Sequence, residues 1–181
     1  MASPIAHSLT GVIIYAAWSK RPRITDPVLW LVVFAANLPD LDLIPGLLLG
    51  NEALYHRTIS HSLTFVASIS VLTFVLLKYA DYSHTNRIAL MFALALLSQI
   101  VIDWISYDDS LPAGIAIFWP FSDEYFMSRH TVFLNVRRDN LFTDAVIAHN
   151  LRALAREILI LGPPLVALWA LKYLRRDVGR H

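Results

Sequence analysis

A small set of metal-ligand and charged residues interrupts otherwise apolar stretches of the sequence. His7 stands near the start of the first stretch. Asn37, Asp40 and Asp42 close the second in ANLPDLDLIP. His56, Arg57 and His61 precede the third in HRTISHS, and Asp103 lies near the end of the fourth. Charges inside apolar spans are costly, so they usually face a bundle interior and pair there. Imidazole and carboxylate together suit a divalent metal: zinc first, with manganese, magnesium or iron as alternatives. His7, Asp40, Asp42, His56, His61 and Asp103 are the candidate ligands. They exceed the four ligands of one tetrahedral ion, so one ion or a pair about 3.5–4 Å apart is expected. A metal-activated water would attack a substrate. Asp42 could bridge or act as base, and Arg57 could stabilise a developing negative charge such as a phosphoryl oxygen. Ser60 and Ser62 flank His61 as second hydrogen-bonding partners or as a helix cap.

Each motif alone also has a bland reading. Asp40 and Asp42 around a proline break could be a turn and N-cap. His56 and His61 are five positions apart, about 140° around a helix, so they converge only if His56 lies in the preceding loop. His7 alone reads as an interfacial or capping residue. Asp103 is the more pointed signal, because a carboxylate in a span is expensive.

The elements that must position these residues are apolar helices. The segments 62–80, 88–107 and 157–174 are long enough to span a membrane, which takes about 20 residues and no fewer than about 17. The first segment, 5–19, is short, and the second, 28–48, spans only with a helix break near Pro39. The stretch 111–121 contains Pro and Gly and reads as re-entrant or interfacial. Within 141–157, apolar residues recur at helical spacing with Arg152 and Arg156 off the stripe, which predicts an amphipathic helix lying on the membrane face or capping the bundle. Pro163 and Pro164 should kink the last span. The expectation is an all-α, polytopic membrane helix bundle with about five spans. It forms a single domain over 1–181: a motif-bearing core at 1–130, an amphipathic connection at 131–156, and a last span with a basic tail at 157–181. In an antiparallel bundle, the starts of odd spans and the ends of even spans share one face. That brings His7, His61, Asp40, Asp42 and Asp103 to the same side.

Composition supports the membrane reading. Of 181 residues, 56% are hydrophobic and 16% charged, against about 25% charged in soluble domains. A net charge of +1 gives no field for nucleic acid. With no cysteine there is no thiolate ligand or nucleophile. Lys20, Arg21 and Arg23 follow the first apolar stretch, which is unlike a signal peptide and favours an N-out, C-in orientation.

An early His, NLPDLD, HRTISHS, an Asp on a long apolar helix, Gly114 and FWPFSDEYF together resemble the YdjM/YbcI-type family. Its inner-membrane proteins are described as metal-dependent hydrolases, some also as LexA-binding. The likeness is carried by about residues 1–130. It implies His7, Asp40, Asp42, His56, His61 and Asp103 as ligands, with Arg57 and Ser62 in support. Asp108 competes with Asp103 as the late carboxylate. The expected function is a membrane-bound, metal-dependent hydrolase of the bacterial inner membrane. Its partners would be membrane lipid and a lipid-linked or phosphate-ester substrate. A proton- or ion-coupled transporter and a non-catalytic protein with a structural metal are the alternatives.

Overall fold

The computed structural model describes residues 1–49, 57–109 and 111–178, and among them it is all-helical with no strands. Local chemistry fixes the helix starts. Helix α1, Pro4–Trp18, begins behind Ser3, whose side chain accepts from the Ile5 N–H, with Pro4 in the first turn. Helix α2, Pro27–Asn37, repeats the device with Asp26 and Pro27. Pro39 then opens a 3-10 turn, Pro39–Asp42, that runs into α3, Leu43–Leu49. A second 3-10 turn, Ile59–His61, leads to Ser62, whose side chain caps α4, Leu63–Tyr79, at the Phe65 N–H. Helix α5 is Thr85–Trp104, and α6 is Asp144–Val178.

Helix α1 packs against α2, α5 and α6, α2 also packs on α5, and α4 lies against α5. Gly11 sets the closest approach of α1 and α2: a Cβ there would stand 3.0 Å from Val33 Cα and 3.2 Å from Ala36 Cβ. Tyr15, Leu29, Val32, Phe92 and Leu96 fill the shared core. Tyr15 is buried with its hydroxyl donating to Asp26 at 2.6 Å, which satisfies the polar end of a large side chain.

Among the described residues, two helices, or three if one bent pair counts as a single span, are long and apolar enough to cross a membrane, fewer than the about five expected. Helix α5 and the Asp144–Leu174 part of α6 are long and apolar enough to cross a membrane. Helix α2 and the Pro39–Pro45 segment make a third if their 52° bend lies within one span. Helices α1 and α4 have 15 and 17 residues. At 1.5 Å per residue they rise about 22 and 26 Å against a hydrocarbon core of about 30 Å, so α1 falls short and α4 stands at the lower limit of about 17 residues.

A second correction concerns the C-terminal third. The amphipathic helix expected at 141–157 and the last span at 157–174 are one continuous helix, α6, which runs through Pro163 and Pro164. Most of its apolar face is bare, with Leu159 and Val166 strongly exposed.

Residues 105–143 are irregular and fold over the end of the bundle where the polar residues gather. Tyr107 N donates to Phe133 O, and Ile115 and Phe126 exchange backbone hydrogen bonds. The 111–121 stretch is non-helical where it is described, and it buries Ile115 and Ala116 in the protein. Gly114 makes that fold possible: its φ is +97°, and a Cβ would lie 2.3 Å from Phe126 O.

Candidate metal centre

Four elements deliver the site. His7 lies in the first turns of α1, Asp40 and Asp42 on the 3-10 turn after α2, His61 at the end of the 3-10 turn before α4, and Asp103 in the last turn of α5. His7 Nε2 is 3.5 Å from Asp103 Oδ1 and 3.8 Å from Asp40 Oδ2. His61 Nε2 is 3.4 Å from Asp40 Oδ1 and 3.5 Å from Asp103 Oδ2. Each imidazole thus lies beside both carboxylates, His7 facing one oxygen of each and His61 the other. The side chains of His7, His61 and Asp103 have no solvent exposure, and that of Asp40 retains 11%.

The donor set is one that could hold a divalent cation. Neither His7 nitrogen, nor Asp40 Oδ1, nor Asp103 Oδ2 makes a hydrogen bond, though all are buried. Leaving such atoms unmatched costs about 1–3 kcal/mol each, and a shared cation is one partner that would match them. A tetrahedral ion with ligands at about 2.0–2.2 Å holds neighbouring ligand atoms about 3.3–3.6 Å apart, close to the distances found. His7, Asp40 and Asp103 each offer a ligand atom within 4.8 Å of the others, and the three could hold a metal ion.

Asp42 takes a different place. Its Oδ2 lies 3.3 Å from His61 Nδ1, on the ring nitrogen that does not face Asp40 and Asp103. The same oxygen accepts from Ser60 Oγ and from the Arg57 N–H, and Ser60 Oγ is 3.0 Å from His61 Nδ1. A carboxylate behind a histidine is the usual way to fix which nitrogen is free to bind a metal. Burial works against a charge on the His61 ring. Asp103, Asp40 and Asp42 more than offset it, and they hold the ring's pKa well above its ordinary 6.5.

Arg57 anchors the adjoining loop. Its guanidinium pairs with Asp108, and both side chains are buried. Asp108 also accepts from the Gly114 N–H at 2.9 Å, and Arg57 O accepts from Ala116 N at 3.0 Å. Arg57 itself adopts φ 70°, a left-handed conformation uncommon outside glycine. With that backbone its N–H faces Asp42 and its carbonyl faces the 111–121 stretch. The two late carboxylates thus divide the work by position: Asp103 meets the histidines, and Asp108 meets Arg57.

The structure brings together His7, Asp40, Asp42, His61 and Asp103. His56 lies outside the described residues. Ser62 caps α4 through its hydroxyl, which also donates to Ile59 O. Two buried polar residues escaped sequence reasoning. Gln99 lies one turn before Asp103 on α5, fully buried, with neither amide atom hydrogen-bonded. Glu157 is fully buried on α6, where its carboxylate takes both the N–H and the hydroxyl of Ser3. The i, i+4 spacing of Gln99 and Asp103 was a readable signal, but nothing local marks Glu157, which sits in a basic, amphipathic-looking run.

The sequence pattern of the YdjM inner membrane protein family matches residues 1–176, which takes the likeness past 1–130 and through most of α6. No curated protein and no solved structure matches the chain significantly. The chain belongs to the YdjM inner membrane protein family, and its apolar helices agree with an inner-membrane location.

Proposed function

We propose that this inner-membrane protein is a metal-dependent hydrolase acting on a lipid-linked ester or phosphoester. The observation that carries the reading is the convergence of His7, Asp40, His61 and Asp103, from four separate elements, at 3.4–3.8 Å spacing. His7, His61, Asp40 and Asp103 would hold one divalent ion, with zinc the first candidate and iron, manganese or magnesium behind it. When bound, such an ion supplies Lewis acidity and makes water nucleophilic near neutral pH.

The chain's own residues do the rest. Asp42 and Ser60 hold the His61 ring so that Nε2 points inward. Asp42 also keeps 11% side-chain exposure, which leaves it at the edge of the site where a proton can be taken up. The Arg57 guanidinium is bound to Asp108, so a role in steadying substrate charge requires it to share that partner. Asp40 is the accessible member of the four, and the elements that carry Asp40 and His61, with α3 after the first, bear exposed apolar side chains. Leu41, Ile44, Leu48 and Ile59 are all exposed. Exposed apolar side chains on these elements would suit a substrate that carries its own hydrocarbon.

A second reading rests on one specific observation. Four protein ligands, three of them without exposure, is the closed arrangement of a structural metal site, whereas catalytic zinc keeps an open position. Both readings are tested on protein purified in mild detergent. Metal content is measured by mass spectrometry, and turnover is followed on a phospholipid and a water-soluble phosphate ester. The hydrolase reading expects about one metal per chain, its loss in His61→Ala, and cleavage of the lipid in preference to the soluble ester. Full occupancy without turnover of either substrate supports the structural metal. Equal and negligible metal in wild type and His61→Ala under metal-replete conditions sinks both.

A further inference from the structure

Helix α6 is tied by hydrogen bonds to the start of α1, the helix that carries His7, through Glu157. Glu157 is fully buried on α6. Its Oε1 accepts from Ser3 N at 2.7 Å, and its Oε2 accepts from Ser3 Oγ in a very short hydrogen bond. Ser3 is the N-cap of α1: its Oγ accepts from the Ile5 N–H at 3.1 Å, and its carbonyl accepts from the His7 N–H. One residue earlier, the Ala2 N–H donates to Asp103 Oδ1 at 3.3 Å. A short strap thus joins Glu157 to two of the proposed ligands. It sets the first turn of α1 that carries His7, and it touches the Asp103 carboxylate directly.

We propose that Glu157 is a positioning residue for the metal centre, acting through Ser3 to fix His7 and Asp103. The inference rests on the metal reading given above. The physical case is one of rigidity. Both Glu157 oxygens go to the same residue, so the carboxylate fixes Ser3 in position and orientation at once. Charge-assisted hydrogen bonds in a low-dielectric interior are the strongest available for that purpose. Helix α6 supplies a long, fixed support, and α1 packs against it. A one-residue N-cap alone would leave the start of α1 free to fray. A ligand displaced by a fraction of an ångström loses much of its affinity, and partners of metal ligands are typically worth about 10–100-fold.

The test uses the full-length protein in detergent with Co²⁺ as the probe. Affinity is read by chelator competition, and ligand geometry by the visible absorption of the bound cobalt. Glu157→Ala should weaken Co²⁺ binding about 10–100-fold and alter the visible band. Ser3→Ala should share both effects, and the double variant should be little worse than either. Glu157→Gln, which can still accept from the Ser3 N–H and donate to its hydroxyl, should recover most of the affinity and the native band. Thermal melts and size-exclusion profiles confirm folding, and if Glu157→Ala does not fold, Ser3→Ala and Glu157→Gln decide. Wild-type affinity and spectrum in folded Ser3→Ala overturn the proposal. Strictly additive losses in the double variant do the same, because they put Ser3 and Glu157 on separate routes. Failure of the wild type to bind Co²⁺ is visible before any variant is made, and it overturns the metal reading itself.

Discussion

The Nδ1 of His61 lies 3.3 Å from Asp42 Oδ2, while its Nε2 faces Asp40 and Asp103. One imidazole therefore stands between two carboxylates of the same four-residue turn, Pro39–Asp42. The arrangement separates a residue that can bind a metal, Asp40, from one that aims a ligand, Asp42.

Asp42→Ala should therefore weaken metal binding by about 10–100-fold without abolishing it. Asp103→Asn, which damages a ligand itself, should cost more. Metal content after dialysis against graded chelator ranks the two. Equal retention by both variants would contradict the separation of roles.

The pH response follows from His61. Its pKa in the folded protein lies well above 6.5 because the neighbouring carboxylates outweigh burial. In metal-free protein the stability gained from the protonated ring is complete below about 6.5, its unfolded value. That stability is lost as pH rises through the higher folded value. Metal and proton compete for the same ring, so the loaded protein should behave in the opposite sense and lose metal as pH falls. Melting temperatures measured with and without metal from pH 5 to 9, a range of about four units around the imidazole value, should diverge as pH rises. Parallel curves would remove His61 from the site.

Asp108→Ala should be strongly destabilising, because it leaves the Arg57 guanidinium buried without its carboxylate. Removing one partner of a buried pair typically costs about 3–5 kcal/mol. The double change Arg57→Met with Asp108→Leu should recover part of that loss, since neither charge then remains. Denaturation in detergent monitored by circular dichroism compares the three proteins.

Gly114→Ala tests the loop that covers the site. The added Cβ would meet Phe126 O at 2.3 Å at a φ of +97°. Displacement of the loop would pull the Gly114 N–H from Asp108 and loosen Arg57, and about 1–3 kcal/mol of stability should go with it. Limited proteolysis should then cut within residues 105–143 faster than in wild type. Unchanged cleavage would mean that the loop does not depend on this crossing.

How much of this was legible in the sequence depends on distance along the chain. The residue types at His7, Asp40, Asp42, His61 and Asp103 limited any metal site there to nitrogen and oxygen ligands, because no cysteine exists and charges in apolar runs must be used or paired. Alternation of helix direction was enough to put them on one end. The span count was read too high, because α1 has only 15 residues and α4, at 17, stands at the lower limit for a span. The tertiary structure alone decided which group meets which. Asp103 and Asp108 are both acidic and nearly adjacent, yet one ends α5 facing the histidines and the other lies past the helix end, on Arg57. Asp40 and Asp42 part company because a 3-10 turn points neighbouring carboxylates in different directions. The tie from Glu157 to Ser3 depends on how α6 packs against α1, a long-range contact with no local pattern to announce it. Residue type and spacing select the chemistry, whereas the assignment of partners depends on side-chain direction and helix packing, which exist only once the chain is folded.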